Sequence, residues 1–287
     1  MTSGRKIGFI GTGVMGSSMA GHLLNAGENL SIYNRTKAKA EDLLARGARW
    51  TQGPAEMAKT CDLIFTMLGY PEDVEEVIQN QLLPGMKPGT TIVDFTTSSP
   101  SLAKALAEVG EKSQVQVLDA PVSGGDLGAR NATLSIMVGG KEDAAKEVWP
   151  YLEKLGKTLV HQGPAGSGQL TKMANQIAVA GSMLGMVESL AFAKKSGLNP
   201  DKVLDSIRVG AAGSWSLDNL SPRVLNGDDA PGFYIKHFIK DLGIALSSAE
   251  SMELELPGTE RALELYRLLQ KRGHEDKGTQ ALFLLYT

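Results

Sequence analysis

The sequence predicts an α/β protein with an N-terminal Rossmann-type domain, a doubly wound and mostly parallel sheet, followed by an all-helical domain. Apolar runs of strand length alternate with helical patterns up to Gly163, and such alternation is typical of a parallel sheet with helices on both faces. A glycine-rich turn joins the first of these strands to a helix. From Gln169 onward the pattern is helical and begins with one long inter-domain helix.

The predicted strands are short and apolar with little polar alternation, as expected for strands buried on both faces. They cover residues 6–11, 30–33, 63–68, 91–95, 117–119 and 134–138. A helix over 14–25 has apolar positions at helical spacing, and a charged amphipathic helix over 37–46 ends at Gly47. These helices supply the crossover connections that parallel strands need.

The second part of the chain is predicted to be helical throughout. Small and apolar residues over 169–195 suit a long helix that packs closely against others. Asn199 and Pro200 begin the next helix, because asparagine caps well and proline fits the first turn. Further helices are predicted over 243–252, 259–272 and 280–285. Glycine and proline over 163–166 break both patterns, which places the domain boundary between residues 164 and 165.

Composition and charge argue against several classes of protein. Hydrophobic residues make up 42% and charged residues 21%, which is globular, and the net charge of -3 gives no basic face for nucleic acid. The single cysteine, Cys61, allows no intrachain disulfide and no cysteine-based metal site, and we expect no metal. The N-terminal residues lack the apolar core of a signal peptide. Polar residues interrupt the apolar tract after Lys172, so we expect a cytoplasmic protein without a membrane span.

The glycine-rich turn, Gly11-Thr12-Gly13-Val14-Met15-Gly16, matches the G-x-G-x-x-G pattern. It follows a strand and opens a helix, which is the context that dinucleotide binding requires. Gly11 permits the tight turn, Gly13 lets the backbone approach a pyrophosphate, and Gly16 allows helix and strand to pack closely. The N–H groups of the helix start then face the phosphates. A purely structural turn is the alternative, and the context favours a dinucleotide site.

The end of the second strand bears on the choice between NAD and NADP. An NAD site usually places Asp or Glu here to bind the adenine ribose, and the segment Tyr33-Asn34-Arg35-Thr36 contains neither. Arg35 offers a planar cation suited to a 2′-phosphate, and Thr36 offers a further donor. A solvated arginine ahead of a charged helix is the alternative. The segment favours NADP(H), with NAD(H) as the second choice.

Three polar residues interrupt the long helix. Lys172, Asn175 and Gln176 stand at positions i, i+3 and i+4 and therefore share one helix face among small and apolar neighbours. A lysine in such surroundings shifts its pKa readily, which suits proton transfer near neutral pH. A lysine near a helix start that extends its ammonium group to water is an equally good interpretation of the spacing alone.

Four motifs, in this order, resemble the β-hydroxyacid dehydrogenase family over nearly the whole chain. They are Gly8-Phe9-Ile10-Gly11-Thr12-Gly13-Val14-Met15-Gly16, Asp119-Ala120-Pro121-Val122-Ser123-Gly124-Gly125, Gly168-Gln169-Leu170-Thr171-Lys172-Met173-Ala174-Asn175-Gln176 and Lys240-Asp241-Leu242. The family includes 3-hydroxyisobutyrate dehydrogenase, tartronate semialdehyde reductase and the glyoxylate/succinic semialdehyde reductases. The segment Asn34-Arg35-Thr36 is similar to its NADP-using reductases. Gly69 stands where proline is common in the family.

The resemblance implies a role for each site residue. Lys172 would be the general acid in carbonyl reduction and the general base in alcohol oxidation. Substrate-contacting residues would be Ser123, Gly124, Gly125, Asn175, Thr97, Phe233 and Asp241. Cofactor contacts beyond the glycine-rich turn and residues 34–36 would come from Met67, Leu68, Thr97 and Lys240.

The implied function is hydride transfer between NADP(H) and a small carboxylate-bearing 3-hydroxy acid or its semialdehyde, in a cleft between the NADP-binding domain and the helical substrate domain. An imine reductase is one alternative, and Lys172 argues against it because those enzymes generally lack a lysine at this position. A non-catalytic NADP-binding scaffold is another, and it would need neither Ser123 nor Lys172. Apolar residues of the helical part predict a homodimer or homotetramer. The specific substrate and the physiological direction stay open.

Overall fold

The computed structural model describes residues 4–286. The chain forms two compact units, one up to Lys172 and one from Met173 onward. This division falls inside the long helix, whereas the predicted domain boundary, between residues 164 and 165, lies just ahead of that helix.

A nine-stranded sheet forms the centre of the first unit. Its strands are β1 (Ile7–Ile10), β2 (Leu30–Tyr33), β3 (Arg49–Trp50), β4 (Leu63–Thr66), β5 (Thr91–Asp94), β6 (Gln116–Asp119), β7 (Val122–Ser123), β8 (Leu134–Gly139) and β9 (Gly156–Gly163). They lie in the order β3-β2-β1-β4-β5-β6-β8-β7, with β9 beside β8. Strand β8 runs antiparallel to β6 and β7, and the other pairs are parallel. The prediction of a mostly parallel, doubly wound sheet is confirmed.

Helices cover both faces of this sheet, as alternate strand residues show. In β1, Phe9 belongs to one buried cluster and Ile10 to another, and in β4 Phe65 and Ile64 divide in the same way. The helices are α1 (Val14–Asn25), α2 (Glu41–Ala45), α3 (Pro54–Thr60), α4 (Pro71–Glu75), α5 (Pro100–Lys112), α6 (Gly125–Arg130) and α7 (Glu142–Leu152). A 3₁₀ turn over Lys37–Ala40 precedes α2, so the charged segment predicted as one helix consists of two pieces.

The second unit is helical, as predicted. Its helices are α8 (Ser167–Lys195), which begins in the first unit, α9 (Pro200–Ile207), α10 (Trp215–Leu225), α11 (Ile235–Glu250), α12 (Pro257–Lys271) and a 3₁₀ helix over Thr279–Leu285. Asn199 caps α9 as expected, because its side-chain oxygen accepts from the backbone N–H groups of Asp201 and Lys202. Within the described residues, α8 alone is long and apolar enough to cross a membrane, by length and composition. Its buried side, however, includes Met183 and Met186 in the core of the second unit.

Several predictions about elements were wrong or incomplete. The two-residue strands β3 and β7 were not predicted. Strand β9 was not predicted, because lysine, threonine, histidine and glutamine give it no apolar run, and it pairs only along β8. Helix α10 was missed because Pro222 lies inside it, although Ser214 caps its start by accepting from the Leu217 N–H. Helix α11 begins at Ile235, well before the predicted start at residue 243.

Candidate active site

The glycine-rich turn lies between β1 and α1, at the point where the strand order reverses from β1 toward β2 on one side and β4 on the other. Gly11 has φ +96°, and a Cβ atom there would collide with the Met67 carbonyl oxygen. A Cβ atom at Gly16 would collide with the Gly11 carbonyl oxygen. At Gly13, by contrast, a Cβ atom would meet no atom within 4 Å, so the backbone borders open space. This arrangement fits a pyrophosphate beside Gly13.

Thr12 and Asn34 connect this turn to the end of β2. The Thr12 backbone N–H donates to Asn34 Oδ1 at 3.0 Å, and Asn34 Nδ2 donates to the Thr36 carbonyl oxygen at 2.9 Å. The Asn34 amide is therefore engaged at both ends within the protein. The Thr12 hydroxyl is buried and has no hydrogen-bond partner among the described residues. Since buried polar groups are nearly always bonded, this hydroxyl fits a contact to a bound phosphate.

Arg35 projects from the end of β2 into solvent, with 81% of its side chain exposed. Its Nη1 atom lies 3.0 Å from Asp73 Oδ1 in the first turn of α4. The sequence analysis did not identify Asp73 as a partner of Arg35.

The loop after β4, which carries Met67 and Leu68, borders the glycine-rich turn. The Met67 N–H donates to the Ile10 carbonyl oxygen at 2.9 Å. The Leu68 N–H donates to the Thr96 hydroxyl at 2.8 Å, which connects this loop to the end of β5. The N–H groups of residues 67 and 68 are thus bonded to β1 and to the Thr96 side chain that follows β5.

Two buried side chains that the sequence analysis missed hold the turn containing Thr97. Asp94 ends β5 and accepts from the Thr66 hydroxyl at 2.7 Å and from the Thr96 N–H at 3.0 Å. Burial raises the pKa of Asp94 to about 6, and these hydrogen bonds oppose that rise. Gln169 donates to the Thr96 carbonyl oxygen at 2.8 Å and accepts from the Ser98 N–H at 3.0 Å. The two peptide groups that flank Thr97 are therefore bonded to α8.

Asp119, at the end of β6, caps the start of α8. Its carboxylate accepts from the Gly166 N–H at 2.8 Å and from the Gln169 N–H at 2.9 Å. Negative charge at a helix start is favourable because the exposed N–H groups carry partial positive charge. Burial raises the pKa of Asp119 to about 6 against the effect of these bonds. Asp119 therefore fixes the end of the helix that carries Lys172.

Lys172 is buried in the first unit, with 7% exposure. Its Nζ atom donates to the Val122 carbonyl oxygen at 2.9 Å. The interpretation of a lysine that reaches bulk water is therefore wrong. Val122 directly precedes Ser123, and the turn continues through Gly124 and Gly125, which have φ values of +127° and +62°. The ammonium group is thus held next to the segment predicted to bind a carboxylate.

In the second unit, three polar residues of the predicted site and Gln176 form a connected chain. Asn175 Nδ2 donates to Gln176 Oε1 at 2.8 Å, and Gln176 Nε2 donates to Asp241 Oδ2 at 2.6 Å. Lys240 Nζ lies 3.1 Å from Asp241 Oδ1, an ion pair rather than a directed hydrogen bond. Gln176 and Asp241 are both buried, and their hydrogen bond satisfies Asp241 Oδ2, while Oδ1 has only the Lys240 ion pair among the described residues. Phe233 packs edge-on against Phe238, with ring centroids 5.7 Å apart.

Each unit therefore brings together its own part of the predicted site. The first holds Lys172 beside residues 122–125, and the glycine-rich turn beside residues 34 and 67–68. The second holds residues 175, 176, 240 and 241. Asp73 and Asp94 were not predicted as site residues, and Asp119 and Gln169 stood in the family motifs without a role. A signal existed for two of them, since Asp94 and Asp119 both end apolar strands whose carboxyl ends meet at one edge of the sheet.

Comparison with known proteins identifies the family of this chain. The family model of the NAD binding domain of 6-phosphogluconate dehydrogenase matches residues 6–163. The model described as NAD-binding of NADP-dependent 3-hydroxyisobutyrate dehydrogenase matches residues 166–286. Together the two matches cover nearly the whole chain.

Individual relatives agree with the family models. A probable 3-hydroxyisobutyrate dehydrogenase-like mitochondrial protein of Arabidopsis thaliana is 47% identical, over 98% of this chain and 85% of its own. The 2-hydroxy-3-oxopropionate reductase of Escherichia coli is 38% identical, over 96% of this chain and 95% of its own. A solved structure of Mycobacterium tuberculosis 3-hydroxyisobutyrate dehydrogenase with L-serine has a TM-score of 0.90 and 29% identity, covering 98% and 99% of the two chains. The chain therefore belongs to the β-hydroxyacid dehydrogenase family, and it is an NAD(P)-dependent oxidoreductase.

Proposed function

We propose that this protein transfers a hydride between NADP(H) and a small 3-hydroxy acid or its semialdehyde, with Lys172 as general acid and base. The observation that carries the proposal is the buried Lys172 ammonium group, bonded to the Val122 carbonyl oxygen at 2.9 Å beside residues 123–125. Hydride chemistry is supplied by the nicotinamide when it is bound. The protein contributes position, charge and a proton.

Lys172 acts at the oxygen of the reacting carbonyl. That oxygen becomes negative during reduction, and a fixed ammonium group stabilises the charge and then donates a proton. In alcohol oxidation the neutral amine accepts the proton instead. The bond to Val122 holds Nζ in place before the reaction, so little reorganisation is needed. A scaffold protein would gain nothing from burying this charge, because burial costs free energy.

The turn at Ser123, Gly124 and Gly125 binds the substrate carboxylate. Its positive φ values turn successive backbone N–H groups toward one side, an arrangement that suits an anion. The relatives support a small acid as substrate. The E. coli relative is named a reductase of 2-hydroxy-3-oxopropionate, and the M. tuberculosis structure contains L-serine, which has a carboxylate and a 3-hydroxyl group.

NADP(H) is the preferred cofactor in this proposal, with NAD(H) as the alternative. The end of β2 carries no acidic residue over 34–36. Asn34 uses one acceptor site and one donor hydrogen on Thr12 and Thr36, and its neutral amide offers the ribose hydroxyls a weaker acceptor than a carboxylate would. Arg35 presents a largely exposed guanidinium group, which suits a phosphate.

The protein acts as a homo-oligomer in this proposal, with α8 in the contact between copies. Within the second unit, Gly181 and Gly185 are exposed on α8, and they border an open groove of ≈ 400 Å³. Two large apolar side chains of the same unit are also exposed, Phe192 on α8 to 72% and Trp215 at the start of α10 to 59%. Exposed apolar surface of this kind is typical of a protein contact, and a second copy of the chain is the occupant we propose.

Turnover assays test the proposed reaction. Oxidation of NADPH is followed against a panel of short aldehyde acids, in parallel with NADH. We expect one or a few semialdehydes to support rapid NADPH oxidation, and Lys172→Ala to abolish it while NADP⁺ still binds. Silence across the panel, or equal turnover by Lys172→Ala, would overturn the proposal.

A further inference from the structure

We propose that Asp73 sets the strength of the cofactor preference, because its carboxylate competes with an adenosine 2′-phosphate for the Arg35 guanidinium group. The inference rests on the proposed preference for NADP(H). It assigns a specificity role to a residue that belongs to none of the four family motifs.

The contact is an ion pair at the protein surface. Arg35 Nη1 lies 3.0 Å from Asp73 Oδ1, and the exposed fractions of the two side chains are 81% and 24%. Exposed ion pairs of this kind are weak and exchange readily for another anion. A phosphate monoester carries more negative charge than a carboxylate and has three acceptor oxygens, and it pairs well with a planar guanidinium group. Arg35 is therefore free to exchange one anionic partner for the other.

The position of Asp73 is set by the loop between β4 and α4. Pro71 begins α4, and Asp73 lies in its first turn. The other carboxylate oxygen, Oδ2, would lie 3.2 Å from a Cβ atom at Gly69. Since that is closer than most real Cβ contacts, a side chain at residue 69 would crowd the carboxylate. The absence of a side chain at Gly69 thus leaves room for the Asp73 carboxylate beside Arg35.

The negative charges around the ion pair act on NADP(H) more strongly than on NAD(H). Glu72, Glu75 and Glu76 are close to Asp73 in sequence, so this helix start is strongly acidic. A 2′-phosphate on Arg35 therefore meets repulsion from a carboxylate that the same guanidinium group already contacts. NAD(H) has a neutral hydroxyl in place of that phosphate and meets no such repulsion. Asp73 thus weakens the binding of NADP(H) but not of NAD(H), and it reduces the difference in affinity between the two cofactors.

Calorimetric titration with NADP⁺ and with NAD⁺ tests the inference without turnover. Asp73→Asn keeps the shape of the side chain and removes its charge. We expect the Kd for NADP⁺ to fall by about threefold to tenfold, in line with an exposed charge contact, while the Kd for NAD⁺ changes by less than about twofold. Asp73→Ser, which also removes bulk next to Gly69, should shift the ratio of the NADP⁺ and NAD⁺ Kd values in the same direction.

Asp42→Asn is the matched control. Asp42 also pairs with an arginine in the first unit, Arg46, at 2.8 Å, so the variant makes the same charge change away from Arg35. Its ratio of the two Kd values should stay at the wild-type value. An unchanged ratio of the two Kd values in Asp73→Asn would overturn the inference, because the carboxylate would then have no effect on cofactor preference. A loss of NADP⁺ affinity would also overturn it, because the carboxylate would then orient Arg35 for the phosphate.

Arg35→Ala separates this inference from the proposed function. If Arg35→Ala leaves NADP⁺ affinity unchanged, the proposed NADP(H) preference loses its basis in Arg35. If Arg35→Ala weakens NADP⁺ binding and Asp73→Asn does not strengthen it, the preference stands and only the competition by Asp73 is wrong. A gain in Asp73→Asn that shrinks at high salt supports an electrostatic origin.

Discussion

Asp94 and Asp119 occupy facing positions on the parallel strands β5 and β6, and both carboxyl groups are buried. Burial is the largest cause that raises the pKa of each to about 6, and the charge of Asp119 adds to the rise at Asp94. Both side chains accept hydrogen bonds from backbone N–H groups of the candidate site. Asp94 accepts from Thr96, and Asp119 accepts from Gly166 and Gln169. Two buried carboxyl groups thus lie at the carboxyl ends of β5 and β6. One holds the turn before Thr97, and the other holds the start of the helix that carries Lys172.

This pair predicts a pH dependence of stability. The pKa of Asp94 rises from its ordinary 3.8 to about 6 on folding, so the folded state binds more protons between these values. Its contribution to the free energy of unfolding is therefore full below about pH 4 and is lost as pH rises through about 6. Asp94→Asn removes this pH-dependent loss of stability, because asparagine does not ionise. Relative to wild type, the variant should gain stability on the order of 1–3 kcal/mol between pH 4 and pH 7.

Urea unfolding of both proteins across that pH range checks the prediction. The difference between their free energies of unfolding should change with pH, because acidic groups that do not interact with Asp94 contribute equally to both proteins. Parallel pH curves for wild type and Asp94→Asn would show that burial does not perturb this carboxyl group.

Two glycines of the same motif should respond oppositely to alanine. Gly13 has φ −73°, which any residue adopts, and a Cβ atom there meets nothing within 4 Å. Gly13→Ala should fold like wild type and weaken NADP⁺ binding by roughly tenfold or more, since the methyl group occupies the space for the pyrophosphate. At Gly16 a Cβ atom collides with the Gly11 carbonyl oxygen, so Gly16→Ala should lower the free energy of unfolding by about 1–3 kcal/mol.

Thermal unfolding and cofactor titration of the two variants distinguish these effects. The contrast between the two variants is the informative result, because both substitutions add one methyl group within the same six-residue motif. Equal loss of stability in the two variants, with equal cofactor affinity, would contradict the placement of the pyrophosphate beside Gly13.

Local sequence patterns predicted much of this molecule. The glycine-rich turn, the strands around it and the long α8 follow from hydrophobic spacing over a few residues. Side chains that join distant segments could not be predicted in this way. Asp119 bonds Gly166 across 47 positions, and Arg35 meets Asp73 across 38, so each contact exists only once the sheet has formed. Strand β9 has no apolar pattern of its own and depends on β8.

The proposed oligomer predicts a specific effect at Gly185. This residue is exposed on α8, and a Cβ atom there meets no atom within 4 Å, so the isolated chain should accept a large side chain. Gly185→Arg should therefore keep the fold and reduce the mass by light scattering to that of one chain, because the arginine blocks close helix contact. A wild-type protein that is already monomeric at micromolar concentration, or a variant of unchanged mass, would contradict the proposed contact.

The most direct test of the central claim compares Lys172→Ala and Lys172→Met with wild type. For each protein, kcat with the best semialdehyde is measured beside the Kd for NADP⁺. The buried ammonium group at Val122 predicts a fall in kcat of about 10²- to 10⁴-fold with cofactor affinity unchanged, and Lys172→Met, which keeps the length of the side chain, should not restore activity. Turnover near the wild-type value in either variant would contradict the role of Lys172 as the proton-transfer residue.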